Sequence, residues 1–538
     1  MAFGLGFSIR DRLGLRRPAA PQPPRRQRAY AGATVSRLTS DWVTGSTSAD
    51  SEIKGSISRL RNRARQLVRD NDFAKRAKSL ITNNTVGTGI RLQMQVKMQR
   101  GSGRLDQAVN NAIETAWEKW CRRQTCDVAG RLSLHEIERM SVGAMCESGE
   151  ILIRLVPQAF GGGRVPLALQ IFESDQLDDS YSGASTAPGN EWRMGVEVDR
   201  WGRPVQYAFL NTHPGDSSFG HATAARHLMV PASEVLHLFV ADRPLQTRGV
   251  SWFAAGIQRL HHLAGYEQAA LVRARAASAL MGFITSPDGA GDTYGEDVVD
   301  GERVTTFEPG MFKTLFPGQS VTVPQINAPD GQLEPFVRGM LRAFASGVNV
   351  NYAAISGDYS QSNYSSSRLA QIEDRDAWRV LQQYLIDNLL TPVFERWLEA
   401  AVLSGALNIP GYELAPDRFC ACRWMARGWA YIDPLKDAEA DKMAIRCGIK
   451  TQAQVVAEQG GDLEELMVAM AAERQRAQEL GLTLDIDPGK VSAAGLTQAR
   501  PVGSIIPQDP YMPDNTQSGE PLELPSLSQD GEGDGTDA

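Results

Sequence analysis

A chain of 538 residues is longer than one hydrophobic core usually serves, so several domains or one domain with long protruding elements are expected. Its 42% hydrophobic and 22% charged content exclude a wholly disordered or fibrous chain. The net charge of −7 conceals ends of opposite sign: up to residue 80, 17 lysines and arginines face 6 acids, whereas from Pro501 onward every charged side chain is acidic.

The six cysteines, Cys121, Cys126, Cys146, Cys420, Cys422 and Cys447, form no paired CxxC set, so zinc is not expected and the thiols stay reduced in a cytoplasmic chain. The most apolar helical run, 271–284, is interrupted by Arg273 and Arg275, which argues against a membrane span. The first 29 residues are rich in Pro and Arg and read as a flexible basic arm.

Over 52–82 the spacing of Ile53, Ile57, Leu60, Ala64, Leu67, Val68 and Phe73 predicts one helix with a buried face, its arginines Arg59, Arg61, Arg63, Arg65 and Arg69 opposite. These five form a candidate contact surface for nucleic acid or an acidic partner, with a solvated helix face as the plainer reading. Packing helices follow over 105–120 and 134–145. The period then changes, with β-rich runs at 150–156, 168–172, 194–199, 205–210 and 235–240; Trp201-Gly-Arg-Pro204 joins two of them as a hairpin. A helical pattern over 251–282 would span roughly 45 Å at the α-helical rise. A turn-rich segment with β-like runs near Val304 and Val321 reaches residue 331, and a second helix runs from Leu333 to about Ala354.

The segment Ser356, Gly357, Asp358, Tyr359, Ser360, Gln361, Ser362, Asn363, Tyr364, Ser365, Ser366 and Ser367 reads as a loop, because hydroxyls and short amides compete with helical hydrogen bonds. A third helix starts near Arg368, with Pro392 expected to kink it and Thr391 to cap the restart. Helices over 433–447 and 462–480 precede an acidic tail.

Catalytic patterns are missing. There is no GxxxxGK[ST] phosphate loop and no GxSxG elbow, and the lone Ser51-Glu-Ile-Lys54 match has no supporting motif. His221 and His227 lack the spacing that puts two ligands on one helical face and read as exposed loop residues, while His261 and His262 point to different sides of their helix. No metal, cofactor or catalytic residue is assigned.

Several stretches, taken in order, carry a resemblance: Arg59-Leu-Arg-Asn-Arg-Ala-Arg-Gln-Leu-Val-Arg-Asp-Asn71, Asn84-Thr-Val-Gly-Thr-Gly-Ile90, Gly195-Val-Glu-Val-Asp199 with Gly202-Arg-Pro-Val-Gln-Tyr207, Arg243-Pro-Leu-Gln-Thr-Arg-Gly249, Ile355 to Arg368, and Asp433-Pro-Leu-Lys-Asp-Ala-Glu-Ala440. Together, over roughly 30–480, they resemble the lambda family of phage portal proteins. The resemblance implies a mainly helical α+β portal fold with wing, long-helix stem, clip and crown, assembling into a ring, dodecameric in particles of this kind, at one capsid vertex. On that plan 1–29 is the arm, 30–250 the wing, 251–282 and 332–355 the stem helices, 283–331 the clip and 356–367 a tunnel loop. The kinked helix behind the tunnel is 368–405, the wing return and crown helices are 406–483, and a disordered acidic tail is 484–538. The partners implied are further copies of the chain, the terminase large subunit, major capsid and scaffold proteins, head-completion or tail adaptors, and double-stranded DNA bound without sequence preference; no membrane is implied. The location implied is the virion, after assembly in the host cytoplasm, with a prophage as a genomic source.

A tunnel loop without Lys or Arg suits sliding DNA, because each neutralised phosphate would add affinity and hinder movement. Two alternatives stay open. Another head–tail junction ring protein would share ring assembly without the long stem helices, and a packaging nuclease or ATPase would need a phosphate loop or a metal–carboxylate cluster.

Overall fold

The computed structural model describes residues 39–98, 104–216, 227–278 and 333–482, a few positions between 33 and 37, and four three-residue strands between 283 and 322. The chain divides into two units, 1–463 and 464–538.

The helix expected over 52–82 is three helices, α1 (Ala49–Lys54), α2 (Ile57–Asp70) and α3 (Asp72–Thr85). Asn71 makes the second break: its backbone is extended, and its side-chain oxygen accepts from the Ala74 amide at 3.0 Å, ending α2 and capping α3. Then come β1 (Arg91–Met94), α4 (Gln107–Trp120), α5 (Arg123–Cys126) and α6 (Leu134–Ser148). A capping box of Ser133 and Glu136 starts α6.

The β-rich middle contains β2 (Glu150–Val156), β3 (Ala168–Phe172), β4 (Gly183–Ala184), β5 (Glu191–Arg193), β6 (Val196–Val198), β7 (Pro204–Leu210), β8 (His227–Pro231) and β9 (Val235–Phe239). They form two antiparallel sheets, β3-β2-β9 and the meander β4-β5-β6-β7-β8. The expected hairpin is β6–β7, with a register shift at Glu197/Val198. His227 lies in β8, half-buried and bonded to Asp178 at 2.7 Å, which corrects its reading as an exposed loop residue; His221 lies outside the described residues.

The long helix α7 is Ile257–Ser278 and begins six residues later than expected, after a turn at 251–256. Strands β10 (Phe283–Thr285), β11 (Asp297–Val299), β12 (Glu302–Val304) and β13 (Ser320–Thr322) pair as β10–β13 and β11–β12, matching the β-like runs near Val304 and Val321. The remainder of 279–332, the arm 1–29 and the tail 484–538 lie outside the described residues.

The second long helix is also shorter than expected. Helix α8 (Leu333–Gly347) stops where Asn349 takes φ +53°, and α9 (Tyr352–Ser356) restarts under an Asn351 cap, whose Oδ1 accepts from the Ala353 amide at 2.7 Å. Helix α10 (Tyr364–Leu385) runs through a π turn (Ile386–Leu390) into α11 (Thr391–Leu403). Pro392 therefore does not open a capped restart. The Thr391 amide donates five residues back to the Ile386 carbonyl, a widened turn that absorbs the missing proline donor, and the Thr391 hydroxyl accepts from Trp424 Nε1 at 3.1 Å instead of capping. The chain closes with α12 (Pro416–Phe419), β14 (Cys422–Met425), α13 (Pro434–Arg446), α14 (Gln452–Glu458) and α15 (Leu463–Glu479).

Strand β14 pairs antiparallel with β1, setting Leu92 opposite Trp424 and joining the two ends of the first unit. Around that junction an aromatic cluster fills the core: Trp117 meets Trp397 edge-on at 5.0 Å and Phe394 at 5.4 Å, and stacks on Trp120 at 5.0 Å. All four rings are buried, and each contributes roughly 1.5–3 kcal/mol or more through the apolar area removed from water.

Candidate nucleic-acid contact loop and the basic helix

The loop between α9 and α10 is shorter than its sequence suggests. Ser356 is the last residue of α9, Gly357 closes that helix at φ +71°, and Tyr364, Ser365 and Ser366 already form the first turn of α10. The serines and the asparagine, expected to resist helix, in fact start one. Asn363 Oδ1 accepts from the Ser366 amide at 2.8 Å, and Ser366 Oγ accepts from the Asn363 amide at 3.1 Å, a reciprocal box that satisfies two helix-end donors. Irregular backbone is confined to 357–363.

Asp358, the one charge in the segment, is turned to internal use. It accepts from Tyr352 Oη at 3.1 Å and from the Ser360 amide at 3.0 Å, and lies 3.5 Å from the Arg338 guanidinium of α8. The Ser360 hydroxyl and amide, then Tyr352 and Arg338, hold its carboxyl below the usual range, so it stays ionised as a staple across α8, α9 and the loop. At the other end Arg368 is bound to Asp437 of α13 at 2.7 Å. The cations flanking the loop are thus engaged, and what faces solvent is uncharged: Tyr359, Ser360, Gln361, Ser362, Asn363, Tyr364, Ser365 and Ser366 are all exposed. Such groups can offer weak, exchangeable hydrogen bonds to a phosphate backbone.

Under the loop lies a cavity of 460 Å³ lined by Tyr359, Ser362, Asp374, Trp378 and Trp429. Asp374 accepts from the Asn351 amide at 3.2 Å, so the α10 side chain facing this cavity also fixes the start of α9. Burial pushes its carboxyl up to about 6.

The five arginines of α2 do not share one outward face. Arg59, Arg63 and Arg69 are exposed, and Arg69 is paired with its neighbour Asp70 at 2.9 Å. Arg65 is half-buried beside Glu173 at 3.3 Å. Arg61 is 2% exposed and points inward to Asp175 at 3.1 Å and Glu150 at 3.5 Å, so it is not an external contact: the helical period places residue 61 on the stripe of Ile57, Ala64 and Val68.

Glu150, fully buried at the start of β2, is the centre of this charge cluster. It accepts from Arg248 Nε at 2.9 Å and the Gly249 amide at 2.8 Å, and lies 3.0 Å from His237 Nε2. Burial alone would push the carboxyl up, but the Arg248 guanidinium and His237 overcome that and hold it well below the usual range. Arg248 also donates to the Met194 carbonyl at 2.7 Å. Gly249 is required by a close approach, because a Cβ there would lie 2.2 Å from the Gly149 carbonyl oxygen. The stretch Arg243 to Gly249 thus acts as a structural knot, with the Thr247 amide also bonded to Asp50 at 2.9 Å.

One grouping of metal-ligand type occurs among the described residues, Glu173, Asp175 and His213. Arg65 bridges both of its carboxylates and Arg61 reaches Asp175, so positive charge already occupies the place of a cation. Arg338, Tyr352 and Asp374 were not legible as supports of the loop, since they lie up to 20 residues from it with no local pattern to mark them. Nothing local distinguishes Arg338 and Asp374 from the other charged side chains that α8 and α10 carry.

A family model described as phage portal protein, lambda family, matches residues 35–382. A probable portal protein of Halomonas phage phiHAP-1 is 30% identical over 496 residues, covering 90% of this chain and 93% of that protein. Portal protein B of Escherichia phage lambda is 22% identical over 488 residues, covering 85% and 91%. Among solved structures, the neck of an empty GTA particle overlaps with a TM-score of 0.39 at 14% identity, over 78% of this chain and 95% of that one. The virion of a native gene transfer agent (GTA) particle overlaps at 0.37 and 15%, with the same coverage. Overlaps of that size leave the sequence relatives to decide the family, and by them the chain belongs to the lambda family of phage portal proteins.

Proposed function

We propose that copies of this chain close into a ring, dodecameric in the assembled particle, at one vertex of a phage capsid. Residues 357–363 and the first turn of α10 line its channel, through which DNA is packaged and later ejected. The observation that carries this reading is the loop inside the family match: a solvent-facing surface of hydroxyls, amides and two tyrosines whose single carboxylate is neutralised from behind by Arg338. Duplex DNA sliding past such a surface meets no fixed cation to release counterions against, so no position along the channel becomes a trap.

Helix α7 supports ring closure. Its first turns are buried through Ile257, Leu260 and Leu263, but from Ala264 to Arg275 no side chain is buried, and Leu271 and Val272 are 51% and 57% exposed. Apolar groups on a long helix left exposed among the described residues suit a neighbouring copy, and a closed ring uses unlike patches on successive subunits. The role is structural rather than catalytic. The terminase large subunit would dock during packaging in the host cytoplasm, scaffold and major capsid proteins would surround the ring, and head-completion or tail adaptors would follow in the virion; a prophage is one genomic source.

Electron microscopy of the purified full chain tests this reading. Rings with a central opening wide enough for duplex DNA are expected, and a chain that stays monomeric at high concentration across salt conditions would overturn it.

A further inference from the structure

A wide cleft lies away from the loop. It has a volume of 1210 Å³ and is formed by the C-terminal half of α4, the α5 turn, the Gly161-Gly-Gly163 turn after β2 and residues 406–407 after α11. Lys119, Arg122, Arg123 and Arg164 line it, and no carboxylate is among its lining residues. Arg123 is held in place by Glu136, with Nε 3.0 Å from Oε2. Lys119, Arg122 and Arg164 are exposed, and among the described residues none of the three makes an ion pair. Between these cations the cleft reaches apolar ground at Trp120, Val165 and Leu407, each at least nine-tenths buried.

We infer that this cleft is the docking site for an acidic peptide segment of a partner protein, one that carries apolar side chains between its carboxylates. Two features select that occupant. The concentration of unpaired positive charge on a chain whose net charge is −7 is a local field that attracts carboxylates and speeds their encounter. The apolar floor then rewards a ligand able to bury aliphatic groups beside those carboxylates, as in interfaces with an apolar centre and a charged rim. A DNA duplex would match the charge alone: its phosphates sit on a stiff convex surface, and it has no apolar group to send down to Trp120 or Leu407. The site is separate from the channel loop, and it stands whether or not that loop touches DNA.

Fluorescence anisotropy on the full chain tests the assignment, with a short labelled peptide of glutamates carrying two leucines four residues apart as the probe. Saturable binding is expected, weakened about tenfold or more by the pair Arg122→Glu and Arg164→Glu and by a similar factor when the leucines of the probe become serines. Lys119→Glu provides an independent variant on another wall of the cleft, with the same direction expected. An unchanged Kd in both variants would overturn the site, as would an all-glutamate peptide binding as tightly as the leucine-bearing one. A labelled duplex that binds and loses affinity on the same substitutions, while the peptide does not bind, would reassign the cleft to nucleic acid and overturn the proposal.

Discussion

Asp374 shows what a single half-buried carboxyl does to the loop's support. Burial raises it from an ordinary 3.8 to about 6, with the Asn351 amide opposing the rise and Glu373 adding to it. The folded chain therefore holds that proton more tightly than the unfolded chain. Ionisation above pH 6 destabilises the fold, and the penalty is gone below about pH 4. Asp374→Asn removes the penalty and keeps an oxygen for the Asn351 amide. At pH 7–8 the variant is expected to be more stable by on the order of 1 kcal/mol, a figure discounted because the carboxyl stays partly solvated. Thermal melts at several pH values check this: the gain should fade as the pH drops from about 7 to 4, and a gain equal at pH 4 and pH 8 would contradict the assignment. Asp358 has the opposite character. It is ionised and stapled between Arg338, Tyr352 and Ser360, so replacing it would disturb the loop's shape before it changed the loop's surface.

At the scale of elements, the polar segment divides into a cap, a bend and a first helical turn, and only some of its residues are free to meet a ligand. Gln361 and Ser362 are exposed, and their side chains are not part of the capping box. Gln361→Lys with Ser362→Lys is expected to leave ring assembly intact and to slow packaging in an in vitro assay, more strongly at low salt, because each added phosphate contact steepens the salt dependence. Packaging at the parental rate at all salt concentrations would remove these two positions from the channel surface. Much of the element order was legible beforehand: the β6–β7 hairpin, the α4 and α6 packing helices and the long α7 follow from period and turn chemistry. The breaks were not. Asn71 and Asn351 act as caps inside patterns that keep their apolar period, and the π turn before Pro392 depends on hydrogen-bond partners that a periodic count does not contain.

Across the first unit, the Glu150 cluster ties α2, β2, β9 and the 243–249 stretch together with one buried carboxylate. Glu150→Gln would leave the buried Arg248 guanidinium without its anion and Arg61 with Asp175 alone. The expected loss is about 3–5 kcal/mol, against a change within about 0.5 kcal/mol for Arg63→Ala on the exposed side of α2. Denaturant unfolding of both variants checks the contrast, and equal midpoints would show that the cluster is not a keystone.

The family, the mainly helical α+β class and the place of the polar segment ahead of α10 could all be derived from the sequence, because each rests on local order along the chain: periodicity, turn residues and an ordered set of motifs. Tertiary structure alone decided which charges are spent. Arg61 and Arg248 turn inward to Glu150, Asp358 is neutralised from behind by Arg338, and Lys119, Arg122 and Arg164 are left facing a cleft assembled from four separate stretches of chain. Pairing between side chains 20 to 114 residues apart depends on which surfaces the core brings together, and no local pattern carries that information.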